Sequence, residues 1–277
     1  MRLTPRIAAP RHRIAVACAV VLALLVLLAL IGPALSPVSY DYLDKSAVWS
    51  PPGTAGHWLG TDFLGRDVFV RTLVGLRISL AIGFLSTTVA VAIGIAWGAI
   101  AGYAGGWLDE GMMRIVDGLY SLPFMFLVIL LMAALGNSVA LIFIAIGAVE
   151  WLTIARIVRA QTLSLRETAF VEAARVAGAS PGAIIRRHVV PNLLGPVVAY
   201  ATLTVPSVIL AESFLSFLGL GIQEPLASLG TLIARGAQDS EIAPWLLLCP
   251  TAVMVVTLLA LTLLGESLRA AVDPRER

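Results

Sequence analysis

The side chains able to do chemistry in this sequence are few and widely spaced. Two acids, Glu150 and Glu212, interrupt otherwise apolar stretches. A carboxylate within a membrane span faces protein or water rather than lipid, so both are candidates for a pathway. An arginine-rich segment at 156–190 carries Glu172-Ala173-Ala174, then Gly178-Ala179-Ser180-Pro181. His12, His57 and His188 are scattered over three separate segments, which argues against a shared metal site. The phosphate-cradling G-x-x-x-x-G-K-[ST], the HExxH and paired-cysteine motifs do not occur. Neither catalysis nor a cofactor held by this chain is expected.

The elements that position these residues follow from composition. Hydrophobic residues make up 59% of 277 and charged residues 13%, against a usual ~45–50% and ~25%. A soluble fold cannot cover that much apolar surface with so few charges, and disorder is excluded by the same numbers. A net charge of +2 gives no reason to expect nucleic acid. An all-α polytopic membrane protein remains.

A span needs ~20 apolar residues. Uncharged runs cover 14–35 and 78–108, the second bounded by Arg77 and Asp109. The run at 118–149 is too long for one span, and Gly136-Asn137-Ser138 splits it into helices at about 119–136 and 139–157. A fifth span runs from 189 past Glu212 to about 218, and a sixth covers 242–265. Six spans put both termini on one side. With the termini inside, the inner segments hold fourteen basic residues and the outer ones five, so both ends are expected in the cytoplasm of a cell (inner) membrane protein. The first span is longer than a signal-peptide core and reads as an uncleaved anchor. Cys18 and Cys249 fall near opposite membrane faces, out of disulfide reach.

Span two carries Ser86, Ala90, Gly94, Gly98 and Gly102 at steps of four. Small faces let helix backbones approach closely in lipid. The ladder serves either packing within the chain or contact with a second membrane subunit.

The segment 156–190 reads as two short helices at an elbow. Ser164 and Glu167 have capping-box spacing. Ala169, Ala173 and Ala177 make a smooth face, Gly178 suits a helix end, and Ser180-Pro181 suits an N-cap and first turn. Pro191 marks re-entry into the membrane. The alternative is an ordinary amphipathic surface loop.

The order Glu172-Ala173-Ala174, Gly178, then His188-Val189-Val190-Pro191-Asn192 resembles the EAA loop of ABC importer permeases, with Val190 where that pattern usually has Leu. His57-Trp58-Leu59-Gly60-Thr61-Asp62 and Leu64-Gly65-Arg66-Asp67 resemble the first outer loop of the peptide/nickel permeases, C-type subunit. Gly105-Gly106-Trp107, the run from Glu212 through Gly221, and Leu268-Arg269 with Asp273-Pro274-Arg275 follow the same pattern. Gln223-Glu224-Pro225-Leu226 and the run from Ala243 to Leu248 look closest to the oligopeptide branch.

The resemblance implies a type I ABC importer permease fold. It has a short N-terminus (1–13), a peripheral helix (14–35), an extracytoplasmic loop (36–77), a five-helix core (78–265) and a tail (266–277). It also implies partners: a homologous B-type permease, two ATPase subunits that carry ATP and Mg, and an extracytoplasmic solute-binding protein. In that reading Glu172, Ala173, Ala174, Gly178, Ala179, Ser180 and Pro181 form the coupling surface that seats in an ATPase. The pathway would carry peptides or, in the same architecture, dipeptides, nickel or another small solute. The 36–77 loop either docks the binding protein or caps the bundle. Glu212 falls on a motif position and suits a structural or gating role. Glu150, six residues before Arg156, would line the pathway or pair with a neighbouring subunit; its charge must be hydrated, paired or protonated. An ion-coupled secondary transporter is the alternative of another class, although no repeated halves are evident.

Overall fold

The computed structural model describes residues 8–54, 56–135 and 138–272. The expectations placed on Arg2, Arg6, Gly136, Asn137, Asp273, Pro274, Arg275 and Arg277 lie outside the described residues. In chain order the helices are α1 (Ala8–Leu35), α2 (Val68–Ala104), α3 (Gly106–Tyr120), α4 (Phe124–Leu135) and α5 (Val139–Leu165). They continue with α6 (Ala169–Val176), α7 (Pro181–Ile184), a π-helical turn (Ile185–Val189), α8 (Val190–Phe217), α9 (Leu229–Gln238) and α10 (Trp245–Val272). Among the described residues five helices are long and apolar enough to cross a membrane. A sixth span exists if the bent pair α3–α4 is taken as one.

The first helix begins at Ala8 rather than 14 and the last runs to Val272, into the expected tail; three further differences from the sequence reading shape the site. Span two begins ten residues before Ile78, because Asp67 accepts a hydrogen bond from the Val70 N–H and caps the helix at Val68. Arg71 and Arg77 mark a change of polarity along that helix, not its end. Its far end comes at Gly105, whose φ of 67° leaves the helical region.

The third span is not one straight helix over 119–136. α3 and α4 meet at 88° across a break at 121–123. Proline disfavours helical geometry in the residue before it, so Pro123 breaks the chain at Leu122. α4 has only 12 residues and is too short to span alone.

The third difference lies in the elbow segment. Ser164 caps nothing: it sits in the last turn of α5 and turns its hydroxyl back to the Ala160 carbonyl. The next helix starts at Ala169, after Thr168. Pro191 does not end a helix either. The backbone runs from α7 through the π turn into α8, with the Val190 N–H bonded to the Ile185 carbonyl. Proline clashes with the carbonyl four residues back, and the wider π turn relieves that clash.

The bundle is built around α5. Ile142, Ile146, Val149, Leu152 and Ala155 are buried against Val128 and Met132 of α4 and Val208, Ala211 and Leu215 of α8. α2 lies along α5 at the distance its small residues allow. A β-carbon on Gly94 would stand 2.5 Å from Ile154, and one on Gly102 would stand 2.8 Å from the Arg159 carbonyl. Ser86 meets Gly147 of α5 in the same way. The ladder therefore packs helices within this chain. α1 lies outside, buried at Cys18 and Ala29, and touches α2 where Gly32 faces Leu73.

Gly98→Leu should destabilise the protein by roughly 1–3 kcal/mol or more, because overpacked side chains force backbone shifts. At that position even a β-carbon would overlap the Ala155 carbonyl. Gly111, with nothing within 4 Å of the same construction, is the control. Thermal melting of the detergent-solubilised protein should drop for Gly98→Leu and hold for Gly111→Ala.

Candidate functional site

At one end of the bundle the elbow projects as a small knob. α6 ends in a Schellman arrangement: the Ala179 N–H donates to the Ala174 carbonyl at 3.1 Å and the Gly178 N–H to the Arg175 carbonyl at 3.0 Å. Gly178 has φ 82°, which side chains rarely tolerate, while the space around it is open. Ser180 then caps α7 by accepting from the Ala183 N–H, with Pro181 in the first turn. The elbow expected from glycine and Ser-Pro is thus formed, with its first helix starting later than expected.

The knob has an exposed rim and a buried root. Glu172, Ala173, Gly178, Ser180 and Pro181 are exposed, and Ala174 and Ala179 are half-buried. Val176 is 84% exposed, a large apolar side chain left uncovered. Val171, Ile184 and Val189 are buried, packed with Ala99 of α2 and Ile154 and Val158 of α5. Arg166 donates to the Gly102 carbonyl at 3.2 Å, and Arg175 lies over the Tyr103 ring. Arg159 holds Asp109 of α3 with both ends of its guanidinium. The knob is therefore fastened to α2 and α5, and α5 to α3.

At the other end, the His57–Asp67 motif forms a compact polar clasp. His57 Nδ1 lies 2.7 Å from Asp67, the cap of α2. Asp62 accepts from the Leu64 and Arg66 N–H groups and from Arg66 Nε at 2.7 Å. Arg66 reaches Glu224 at 2.9 Å, and Arg235 of α9 donates to the same carboxylate oxygen. Trp245 of α10 donates to the Thr61 carbonyl at 3.2 Å. These contacts support the capping role for this part of the loop. Trp58 remains 73% exposed above them, a surface open to a partner.

Burial alone would raise the Glu224 pKa, but the hydrogen bonds from Arg235 and Arg66 outweigh it and hold it at about 2. Glu224, Arg235 and helix α9 were not expected to form a site. The sequence signals were the Gln223-Glu224-Pro225-Leu226 motif and Ser228, three residues before Thr231, which forms a reciprocal cap for α9.

The two intramembrane acids differ. Glu212 is fully buried, and one carboxylate oxygen accepts from Ser216 at 2.7 Å and from Ser228 at 2.6 Å. Ser79 of α2 accepts from the Leu229 N–H at 3.0 Å beside it. Glu212 thus joins α8, the start of α9 and α2. Glu150 is half-buried on α5 and opens into a cavity beside the α3–α4 bend. The fold does not bring the two acids into one site. Among the described residues no cluster of three His, Cys, Asp or Glu side chains could hold a metal ion.

A bundle of apolar helices with a braced, projecting knob is the architecture of a polytopic membrane protein. Residues 94–277 match the family described as binding-protein-dependent transport system inner membrane component, and residues 11–52 match the N-terminal TM domain of oligopeptide transport permease C. The oligopeptide transport system permease protein OppC of Escherichia coli K12 is 51% identical over 267 residues, covering 96% of this chain and 88% of that one. The OppC of Haemophilus influenzae is 48% identical over 268 residues, with 96% and 86% covered. The dipeptide transport system permease protein DppC of Bacillus subtilis is 42% identical over 268 residues, with 96% and 83% covered. Among solved structures, the inward-facing MetNI methionine ABC transporter superposes with a TM-score of 0.58 at 23% identity, covering 73% of this chain and 96% of that one.

The chain belongs to the family of binding-protein-dependent transport system inner membrane components. It is a multi-pass, all-helical permease subunit, as the sequence resemblance implied. That assignment sets aside the ion-coupled secondary transporter.

Glu224 gives the clasp a defined pH dependence. Its folded pKa of about 2 lies below the ordinary 4.5. The stability it contributes is fully present above pH ~4.5 and is lost as pH falls toward ~2. The melting difference between the wild type and Glu224→Gln should be largest above that window and vanish at its acid end.

Proposed function

We propose that this chain is the C-type permease of an ATP-driven oligopeptide importer, forming part of the translocation pathway. The observation that carries the reading is the knob, an exposed glycine elbow rooted in α2 and α5. The near-full-length likeness to oligopeptide permeases supports the substrate class. The dipeptide permease relative favours a second reading, the same architecture importing dipeptides.

In this reading the knob faces the cytoplasm and seats in one of two ATPase subunits, which bind ATP and Mg. Glu172, Ala173, Ala174, Gly178, Ala179, Ser180 and Pro181 form the contact. A homologous B-type permease completes the pathway, lipid surrounds the bundle, and a solute-binding protein delivers substrate at the clasp end. ATP binding draws the two knobs together. The knob of this chain continues through the π turn into α8 without a break, so its displacement moves the span as a unit and alternates access across the membrane. Glu150 lines the pathway. Glu212 works from within the subunit, holding α8, α9 and α2 in one arrangement.

Gly178→Trp tests the coupling surface. A bulky side chain would crowd the partner face, and any β-carbon at that backbone angle costs about 1–2 kcal/mol. The variant should insert normally, yet its complex should lose substrate-stimulated ATP hydrolysis. Wild-type stimulation would sink the assignment. A separate accessibility test addresses orientation: a reporter fused before Arg2 should stay protected in intact cells, and one inserted near Gly53 should be labelled. The reverse pattern would overturn the cytoplasmic placement of the termini.

A further inference from the structure

Glu150 is the twelfth residue of α5, about 17 Å along the helix at 1.5 Å per residue. It therefore lies deep in the span. It opens into a cavity of about 250 Å3, walled by Tyr120, Leu122, Phe124, Leu127 and Thr153. No described residue forms a hydrogen bond or ion pair with its carboxylate. The nearest cation along the helix, Arg156, is already committed: it bonds Asp117 at 2.8 Å and lies 4.1 Å from the Tyr120 ring centroid.

A second, independent feature marks the same place. The cavity is also lined by Leu122, which lies in the non-helical break at 121–123 where α3 and α4 diverge by 88°. Backbone polar groups at membrane depth need helix, protein or water around them, so irregular backbone is tolerated where it lines a cavity. An acid without a partner and a broken helix thus face one hollow. Both features are costly in lipid and suit a hydrated binding site.

We propose that this cavity is a subsite for a cationic group of the transported solute, an ammonium or guanidinium held by Glu150. Phe124 adds an aromatic ring to the wall, and aromatic faces attract such cations. The proposal rests on the peptide-import reading. A peptide carries this chemistry in two places, its N-terminal ammonium and any Lys or Arg side chain.

The test uses the assembled complex in proteoliposomes, with the binding protein saturated by Ala-Lys-Ala, Ala-Ala-Ala or Ala-Glu-Ala. Glu150→Gln keeps the shape and removes the charge; Glu150→Asp keeps the charge. The Gln variant should assemble normally and import Ala-Lys-Ala about tenfold more slowly, the scale of one lost charge-assisted hydrogen bond. The Asp variant should retain most of the rate. A loss confined to Ala-Lys-Ala assigns the subsite to the basic side chain; an equal loss for all three peptides assigns it to the terminal ammonium. The proposal is overturned by unchanged import in the Gln variant, by an Asp variant as slow as Gln, or by poor assembly of the Gln complex. Poor assembly would mean that the carboxylate pairs with a neighbouring subunit. Wild-type complex that imports none of the three peptides overturns the peptide reading and the subsite with it. Wild-type import with an unaltered Gln variant overturns the subsite alone.

Discussion

The close approach of α2 and α5 is the constraint on which the rest of the bundle depends. Lipid gives two apolar helices no hydrophobic reason to meet, so their contact rests on shape. Ser86, Gly94, Gly98 and Gly102 remove side-chain volume from one side, and Gly147 removes it from the other. Dispersion forces between closely apposed backbones then act along the 86–102 stretch of α2. Every other functional part is hung on this pair. The knob roots between them, α3 is held to α5 by Arg159, and the clasp grows from the first turn of α2.

Polar groups fix what shape leaves open. At the clasp, Asp62, Asp67 and Glu224 gather arginines, backbone N–H groups and a histidine from segments far apart in sequence. Within the span, Glu212 gathers two serines. Buried charges are costly unless hydrogen-bonded, so each knot tolerates one arrangement of the helices that supply it. Glu150 is the exception. It faces a cavity, whereas Glu212 ties helices together through one carboxylate oxygen, its second oxygen being buried without a partner.

Mechanical continuity links the two ends. An independent loop helix would absorb a push from below. Here α7, the π turn and α8 form one rod, and α6 is locked to it through Val171, Ile184 and Val189. The Schellman turn at Gly178 fixes the angle between α6 and that rod. In the proposed coupling role, a displacement at the elbow would be carried into the membrane span rather than lost in the loop.

Much of this was legible in the sequence. Composition alone required a polytopic helical protein, because no soluble surface could be assembled from so few charges. Local rules placed the elbow: glycine for the left-handed turn, Ser-Pro for the next helix start. They failed where a longer-range effect outweighed them. Ser164 looked like a cap, but α5 ran past it. Arg77 looked like a boundary, but Asp67 capped the helix further out. Pro191 looked like the point of re-entry into the membrane, but a π turn carries one continuous helix through it. The partner of the small ladder, the union of Arg66 with Glu224 158 residues away, and the different fates of Glu150 and Glu212 were decided only by the tertiary structure. Pattern along a chain reports what each segment prefers, whereas a polar group's role depends on which distant atoms fold around it.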